Sequence, residues 1–359
     1  MGTFGLLRFA VLLTLPSARF VRASSSLLPH GGDGEVMVVT GMWFLKHAKH
    51  NISEYLKWAN NTSTLQANTI AFGDEKGCSL METSRKSHNL PIKCHRVDDV
   101  GSFETTSSFL SAVTTDLTSI SSTSPNLNFN HRIKLREQIL SYPLGLIWSA
   151  KSELVLASTK MIPPKSKGGY DWFAWIDFGI NSLRGKPSPD KVFPFPGSMD
   201  RMPSNRVLVS MTQNLPFGKN CRARCPNVKA PDTKWDTDYM ATLNWNCMRM
   251  NMWMAHRDII PEFRKAVAEE QKQCIWEVGR LGPGSEHRVK HCMDDQNLIS
   301  KIFRRRPNLF AVVGANWASL LANFWKPKDF WEHHTLFPQP GEEYAHINNC
   351  HAELTDSIP

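Results

Sequence analysis

Apolar and polar runs alternate along the first hundred residues in a way that predicts strands separated by helices. Residues 35–44 (EVMVVTGMWF) are β-branched and apolar, which is typical of a buried strand. Residues 52–61 have helical apolar spacing, and residues 69–75 (TIAFGDE) form a second strand that ends in a Gly-Asp turn signal. Residues 90–97 suit a third strand. This alternation favours an α/β fold with a mostly parallel central sheet and helices on both faces.

The later part of the chain continues the pattern with longer helices. Residues 131–162 have helical spacing that is broken at Pro143, and residues 170–180 (YDWFAWIDFGI) read as a strand buried on both faces. The remaining predicted elements are strands at 205–211 and 242–255, an amphipathic helix at 257–280 and a second helix that begins within 291–307. No internal repeat and no second domain is indicated.

The N-terminal segment, residues 1–23, is predicted to be a secretory signal peptide, with a short signal anchor as the alternative. Arg8 precedes an apolar run at 9–15, and Val21 and Ala23 are small residues at the positions that a signal peptidase inspects. The run is short for a bilayer span, which needs about 20 apolar residues. Membrane association is therefore expected only through this segment.

The rest of the chain divides by composition. Residues 24–34 form a Gly/Ser/His spacer, residues 35–335 form the α/β domain, and residues 336–359 form a C-terminal tail without periodicity. Within the domain, residues 101–128 are rich in Ser and Thr and are predicted to be a surface insertion or a loosely packed helix.

Two further features agree with export from the cytoplasm. Asn51, Asn60 and Asn61 begin Asn-x-Ser/Thr triplets, which are possible glycosylation acceptors. The chain has eight cysteines, an even number that allows up to four disulfides. Cys221 and Cys225 have the spacing of half a zinc site, but disulfides are the favoured interpretation because no second close pair exists. The predicted location is the Golgi lumen or the extracellular space.

The charge and aromatic content narrow the choice of ligands. The formal charge is +9, but the basic residues are scattered and no nucleic-acid-binding motif is present. We therefore predict no nucleic-acid partner, and an anionic small substrate instead. Twelve tryptophans suit a packed core and a cleft that stacks flat rings such as bases or sugars.

Three polar positions stand out against apolar surroundings. Asp177 ends the WFAWID segment of the strand predicted within 170–180, at the sheet edge where α/β folds bind ligands, and Gly179 follows two positions later. Lys151 lies in an apolar helical stretch, and Asp295 with Gln296 begins a predicted helix. Each has an ordinary structural explanation as well: a turn for Asp177, a solvated end for Lys151 and a helix cap for the acidic pair.

Taken in order along the chain, these segments resemble the HtrL/YibB-like family. The resemblance covers about residues 36–325, and residues 148–180 carry most of its specificity. That family is similar to glycosyltransferases of the GT-A fold, a single Rossmann-like domain. The resemblance therefore implies a hexosyltransferase-like enzyme that moves a sugar from a nucleotide-sugar donor to the hydroxyl of a glycan or other acceptor.

The resemblance also implies roles for particular residues. It places Asp177 where GT-A enzymes bind the metal–diphosphate of the donor, so Mn²⁺ or Mg²⁺ is the expected cofactor. The chain departs from the family pattern because it has Asp-Phe-Gly where an Asp-x-Asp motif is expected. The other implied site residues are Val39, Thr40, Gly41, Lys151 and Gly179 for the donor, Asn244, Trp245 and Asn246 for sugar or acceptor, Asp295 and Gln296 at the reacting centre, and His333 and His334 as further metal ligands.

A second class of function remains open at this point. A secreted carbohydrate-binding or interaction protein that keeps the fold without turnover explains the tryptophan content equally well.

Overall fold

Seven strands form one sheet in the computed structural model, which describes residues 35–46, 52–113, 129–178, 193–194, 198–211 and 248–314. The strands are β1 (Val36–Met42), β2 (Thr69–Gly73), β3 (Ile92–Arg96), β4 (Trp172–Ile176), β5 (Val207–Met211), β6 (Met248–His256) and β7 (Phe310–Gly314). The helices are α1 (Ile52–Ser63), α2 (Glu75–Lys86), α3 (Glu104–Ser111), α4 (Phe129–Leu140), α5 (Pro143–Met161), α6 (Ile260–Arg280) and α7 (Asp295–Arg305).

The strand order is β3-β2-β1-β4-β6-β5-β7. Four neighbouring pairs are parallel, namely β3–β2, β2–β1, β1–β4 and β5–β7, while β6 runs antiparallel to both β4 and β5. The chain builds outward from β1 in one direction as far as β3 and then returns to place β4 on the other side of β1. The predicted fold class, an α/β fold with a mostly parallel central sheet, is confirmed.

One face of the sheet packs against α5, α6 and α7. Phe173 and Trp175 of β4 and Trp253 of β6 are almost fully buried in this core. Apolar residues of the three helices complete it, including Ile147, Ala150 and Leu154 of α5, Phe263 and Val267 of α6, and Ile299 and Ile302 of α7. Because this apolar face of α5 packs against the sheet, a polar side chain on the same face of the helix also points toward the sheet.

The opposite face is covered by α2 and by Phe193, Met199 and Met202. Met81 of α2 packs with Met42, Ala71 and Phe178, and Phe193, Met199 and Met202 pack with the alternate residues of β4, β5 and β6. Helices therefore lie on both faces, as predicted. Among the described helices, no helix is both long enough and apolar enough to span a membrane.

Three features of the fold were not expected from the hydrophobic pattern of the sequence. Neither α2 nor β7 is predicted from it. In addition, the first part of the Ser/Thr-rich stretch forms α3, in agreement with the helix alternative, but Thr105 and Thr106 are fully buried rather than at a surface. The reason is Glu153 of α5, whose carboxylate accepts from the backbone amides of Glu104 and Thr105, both at 2.8 Å, and thereby caps α3. Residues 114–128 of the stretch lie outside the described residues.

Two disulfides connect elements of the fold. Cys78 of α2 bonds to Cys94 of β3, and Cys274 of α6 bonds to Cys292, which belongs to a short 3-10 helix (Glu286–Met293). The other four cysteines lie outside the described residues. The two disulfides close loops of 16 and 18 residues. Each is expected to stabilise the folded protein by about 3 kcal/mol, because it lowers the conformational entropy of the unfolded chain.

The N-terminus of α2 approaches the end of β1 closely because residue 77 is glycine. A Cβ atom at Gly77 would lie 2.1 Å from the carbonyl oxygen of Met42. Asp74 fixes the same turn: its carboxylate accepts from the amide of Gly77 at 2.7 Å and from that of Phe44 at 2.8 Å. The glycine therefore sets how closely α2 packs against the edge where the parallel strands end.

Gly77→Ala is expected to destabilise the protein by about 1–3 kcal/mol, because the new methyl group overlaps the Met42 carbonyl. This overlap should outweigh the roughly 1 kcal/mol by which alanine favours a helix interior over glycine. Urea denaturation followed by circular dichroism measures the change. Ser79→Ala, at an exposed position of α2, is the matched control and should be neutral or slightly stabilising. Equal stability of both variants would show that the turn can relax.

Candidate active site

The candidate site lies where the parallel strands β1, β2, β3 and β4 end at one edge of the sheet. Strand order reverses between β1 and β4, because β2 lies on one side of β1 and β4 on the other. In open α/β sheets, ligands bind outside the carboxyl ends of the strands at such a reversal. Asp177 directly follows β4 at this point, so topology alone makes it a candidate.

Lys151 extends from the apolar stripe of α5 toward this edge and is 4% exposed. Its ammonium nitrogen Nζ lies 2.7 Å from Oδ1 of Asp177 and 2.6 Å from Oδ2 of Asp295. Nζ also donates to the backbone carbonyl of Met250 at 3.1 Å. Burial lowers the pKa of Lys151, but the two carboxylates outweigh burial and hold the pKa above its usual value. The lysine is therefore charged at neutral pH.

Asp177 is the more accessible of the two acids, with a side chain that is 33% exposed. Its Oδ1 accepts from the indole Nε1 of Trp175 at 2.7 Å in addition to Lys151. Its backbone amide donates to the carbonyl of Asn251 at 2.7 Å. The backbone and one carboxylate oxygen are thus fixed by the protein, while the side chain keeps a face toward solvent.

Asp295 approaches Lys151 from α7, and its side chain is only 13% exposed. Asp294 takes the cap of this helix, since its carboxylate accepts from the amide of Asn297 at 3.1 Å. Asp295, at the next position, is left to pair with the lysine. Burial raises the pKa of Asp295 to about 6, with Lys151 opposing the rise and Asp177 and Asp294 adding to it. The buried acid therefore titrates close to physiological pH.

An irregularity in β6 supplies the backbone part of the site. Val209 of β5 pairs with Trp253, whereas the next residue, Ser210, pairs with Arg249, so residues 250–252 lie opposite a single step of β5. The carbonyls of Met250 and Asn251 in this bulge accept from Lys151 and from the amide of Asp177. Bulges are frequent next to active sites, where they redirect groups. The sequence reasoning missed this feature, and only the mixture of polar residues in 242–255 hints at it.

Behind the ion pair lies a cavity of about 10 Å³, close to the volume that one water molecule occupies. Lys151 and Asp295 line it, together with Ser152, Trp253 and apolar residues of α6 and α7. Ser152 Oγ and Trp253 Nε1 are buried polar atoms without a hydrogen-bond partner within the described residues. The interior beside the ion pair is therefore polar as well as apolar.

The predicted residues on β1 lie in different surroundings. Val39 is fully buried in the core, and Thr40 is 2% exposed with its hydroxyl donating to the carbonyl of Ile176 at 2.7 Å. Gly41 faces the ring of Trp43, which a Cβ atom there would approach to 2.5 Å. In this arrangement the side chains of Val39 and Thr40 point into the protein, so their role in donor binding stays a prediction without a contact to support it.

The structure brings together Lys151, Asp177 and Asp295, and it places Gln296 beside them as the second residue of α7, half-buried. The chemical roles assigned to all four remain predictions. The remaining candidates lie outside the described residues, namely Gly179, Asn244, Trp245, Asn246, His333 and His334.

The fit of the expected metal ion can be judged from the donor groups. Within the described ranges, no three His, Cys, Asp or Glu side chains are grouped so as to hold a metal. Among the described residues, Asp177 and Asp295 are the carboxylates that pair with Lys151, whose ammonium lies between them. These residues therefore do not fit a divalent cation while the lysine is in place, although Mn²⁺ or Mg²⁺ remains the prediction from the resemblance.

Comparison with known proteins finds similarity only at the level of structure. No family model matches the chain, and no curated protein matches its sequence. Mouse xyloside xylosyltransferase 1, in a crystal structure of the apo form, is 10% identical over 78% of this chain and 84% of its own, with a TM-score of 0.37. PaToxG glycosyltransferase is 9% identical over 92% of this chain and 89% of its own, with a TM-score of 0.28. Similarities of this size assign no activity, and membership of the HtrL/YibB-like family stays a prediction.

Asp295→Asn is expected to change how stability depends on pH. The pKa of Asp295 is raised from 3.8 to about 6 in the folded protein, so its bound proton contributes stability that is complete below about pH 4 and lost as pH rises through about 6. The free energy of unfolding of the wild type, relative to Asp295→Asn, should therefore fall by roughly 2–3 kcal/mol between pH 4 and pH 7. Urea denaturation at stepped pH measures this difference.

Glu262→Gln, at an exposed position in the first turn of α6, is the control for a surface carboxylate. Its stability should follow the wild type across the same pH range. A constant difference between wild type and Asp295→Asn from pH 4 to pH 7 would contradict the raised pKa.

Proposed function

We propose that this protein is a glycosyltransferase that binds a nucleotide-sugar at the edge where β1 and β4 end, with Asp177 facing the reacting sugar. One observation carries the proposal. Lys151, Asp177 and Asp295, which come from three separate elements, converge at the reversal of strand order. Ionisable groups that share perturbed pKa values at such an edge are typical of functional sites.

The sign of the local charge indicates which part of the donor lies here. Two carboxylates and one ammonium leave the cluster with a formal charge of −1 when all three groups are ionised. Such a cluster repels a diphosphate but accepts hydrogen bonds from the neutral hydroxyl groups of a sugar. We therefore assign the sugar to Asp177 and the diphosphate to a neighbouring part of the edge, toward which the overall charge of +9 attracts the anionic donor.

The proposed reaction is a displacement at the anomeric carbon of the donor sugar. The oxygen of an acceptor hydroxyl forms a bond to that carbon, and the bond to the leaving phosphate oxygen breaks with its electron pair. The acceptor proton passes to a carboxylate. Asp177 suits contact with substrate because a third of its side chain is exposed, whereas Asp295 is largely covered and holds Lys151 in position.

The expected setting of the reaction is the secretory pathway. The described disulfides, Cys78–Cys94 and Cys274–Cys292, suit an oxidising compartment. The Golgi lumen or extracellular space, a glycan or other hydroxyl acceptor, and cleavage of the N-terminal segment belong to the proposal and follow from the sequence features. Mass spectrometry of the secreted protein tests the cleavage directly.

Asp177→Asn is expected to lower sugar transfer or donor hydrolysis by at least about 100-fold, because it removes the carboxylate charge while keeping the side-chain shape. A panel of UDP-, GDP- and CMP-sugars, with release of the free nucleotide as the signal, first identifies the donor for the wild type. The variant is then compared on that donor at saturating concentration.

Asp171→Asn is the matched control. Asp171 lies just before β4, at the opposite edge of the sheet, and its side chain is 31% exposed, close to the value for Asp177. It should retain activity within about twofold, since it lies a strand length away from the proposed site. Full activity of Asp177→Asn would remove Asp177 from the mechanism. Thermal stabilisation by free monosaccharides but by no nucleotide-sugar, without turnover, would favour the carbohydrate-binding alternative.

A further inference from the structure

Three oxygen atoms from three different elements surround the ammonium of Lys151. They are Oδ1 of Asp177 after β4, Oδ2 of Asp295 on α7 and the carbonyl oxygen of Met250 in the β6 bulge. We propose that Lys151 is a built-in cation that takes the place of a divalent metal ion between Asp177 and Asp295. The wild-type pair then binds no metal, and truncation of the lysine creates a metal site.

The match between donors and acceptors supports this role. An ammonium group has three N–H donors and no acceptor, and Nζ has three oxygen partners at 2.7, 2.6 and 3.1 Å. The number of oxygen atoms close to Nζ thus equals the number of its N–H groups. The Trp175 ring, whose centroid is 5.7 Å from Nζ, adds a further favourable contact for a cation. The surroundings of Nζ therefore favour a positive charge at this position.

The same three oxygens form a typical ligand set for a hard metal ion. Carboxylate and carbonyl oxygens suit Mg²⁺, Ca²⁺ and Mn²⁺, and Mg²⁺ commonly uses one or two carboxylates together with several waters. The Nζ–O distances are longer than the metal–oxygen distances of roughly 2.0–2.6 Å. To hold a Mg²⁺ ion in place of the nitrogen, the two carboxylate oxygens would need to move inward by about half an ångström and the carbonyl oxygen of Met250 by about one ångström.

A metal ion and the ammonium cannot share the space between the two acids. Lys151 is 4% exposed, and its ammonium lies within 2.7 Å of both acids. A divalent cation within about 4 Å of it would be repelled strongly at low local dielectric. Consequently, metal binding at this pair requires loss of the ammonium.

Lys151→Ala tests the inference because it leaves two acids and a carbonyl without their cation. The shortened side chain opens space that joins the cavity of about 10 Å³ beside Asp295, which gives room for metal-bound water. Lys151→Met is the matched control, since it also removes the charge but fills the space with a chain of similar length. Both variants should be less stable than the wild type, because a buried ion pair has lost one partner.

The experiment adds Mn²⁺ alone to the full-length chain after treatment with a chelator. Electron paramagnetic resonance measures free Mn²⁺, and a thermal shift reports its effect on stability. Lys151→Ala should bind about one additional Mn²⁺ per chain and gain roughly 5 °C in Tm at a hundredfold excess over Kd. Neither the wild type nor Lys151→Met should show this site, and Lys151→Ala combined with Asp177→Asn should lose it.

Two results would overturn the inference. One is a folded Lys151→Ala protein that binds no additional Mn²⁺. The other is Mn²⁺ binding by the wild type that disappears in Asp177→Asn, since it would show a metal at the pair despite the lysine. If Lys151→Ala does not fold with or without Mn²⁺, the comparison between the wild type and Asp177→Asn tests the inference. Equal Mn²⁺ binding by these two proteins supports it, because the pair of acids then binds no metal while the lysine is present. No nucleotide is present, so failure of the nucleotide-sugar screen leaves this result unaffected.

Discussion

The buried ammonium of Lys151, shared by Asp177 and Asp295, is the interaction on which the candidate site depends. Two carboxylates beside Trp175 and Trp253 would be costly to ionise without a cation between them. With the ammonium present, the chain that leaves β4, the start of α7 and the middle of α5 are held at a common point. An ion pair of this kind contributes less to net stability than to a defined arrangement, because desolvation offsets much of the attraction.

The sequence predicted the central elements well because their residues are buried on both faces. Strands β1 and β4 consist almost entirely of apolar residues, and Pro143 marks the start of α5 correctly. Helix α2 was missed because its buried positions include Gly77 and Arg85, which interrupt the apolar periodicity. Strand β7 was missed as well. The helix at α3 was one of two alternatives predicted for the Ser/Thr-rich stretch, but its burial was not expected, because a carboxylate on another helix caps it and no local pattern reveals that contact.

The sequence identified Lys151, Asp177 and Asp295 as candidate site residues, but it did not predict that they contact one another. Asp177 follows from the rule that acids at strand ends face a ligand edge, and Asp295 follows from its place at a helix start. Their contact with Lys151 depends on how α5 and α7 pack beside β4, and the backbone carbonyls that complete the site depend on the register of β6 against β5, where three residues lie opposite a single step. Register shifts of this kind are set by packing on both faces of the sheet. For the same reason, the roles predicted for Val39 and Thr40 gain no support, because strand alternation and burial direct their side chains inward.

Asp294 and Asp295, two adjacent acids at the start of α7, have different roles. Asp294 has extended backbone angles and caps the helix through the amide of Asn297, which satisfies a donor that would otherwise lack a partner. Because the cap is already filled, Asp295 is not needed for it, and the first helical turn directs its carboxylate toward α5. Burial opposes negative charge on Asp295, and Asp177 and Asp294 add to this opposition, while Lys151 favours the charge; the balance leaves a pKa of about 6. A helix cap and an ion pair are thus complementary explanations of this acidic pair, one for each residue.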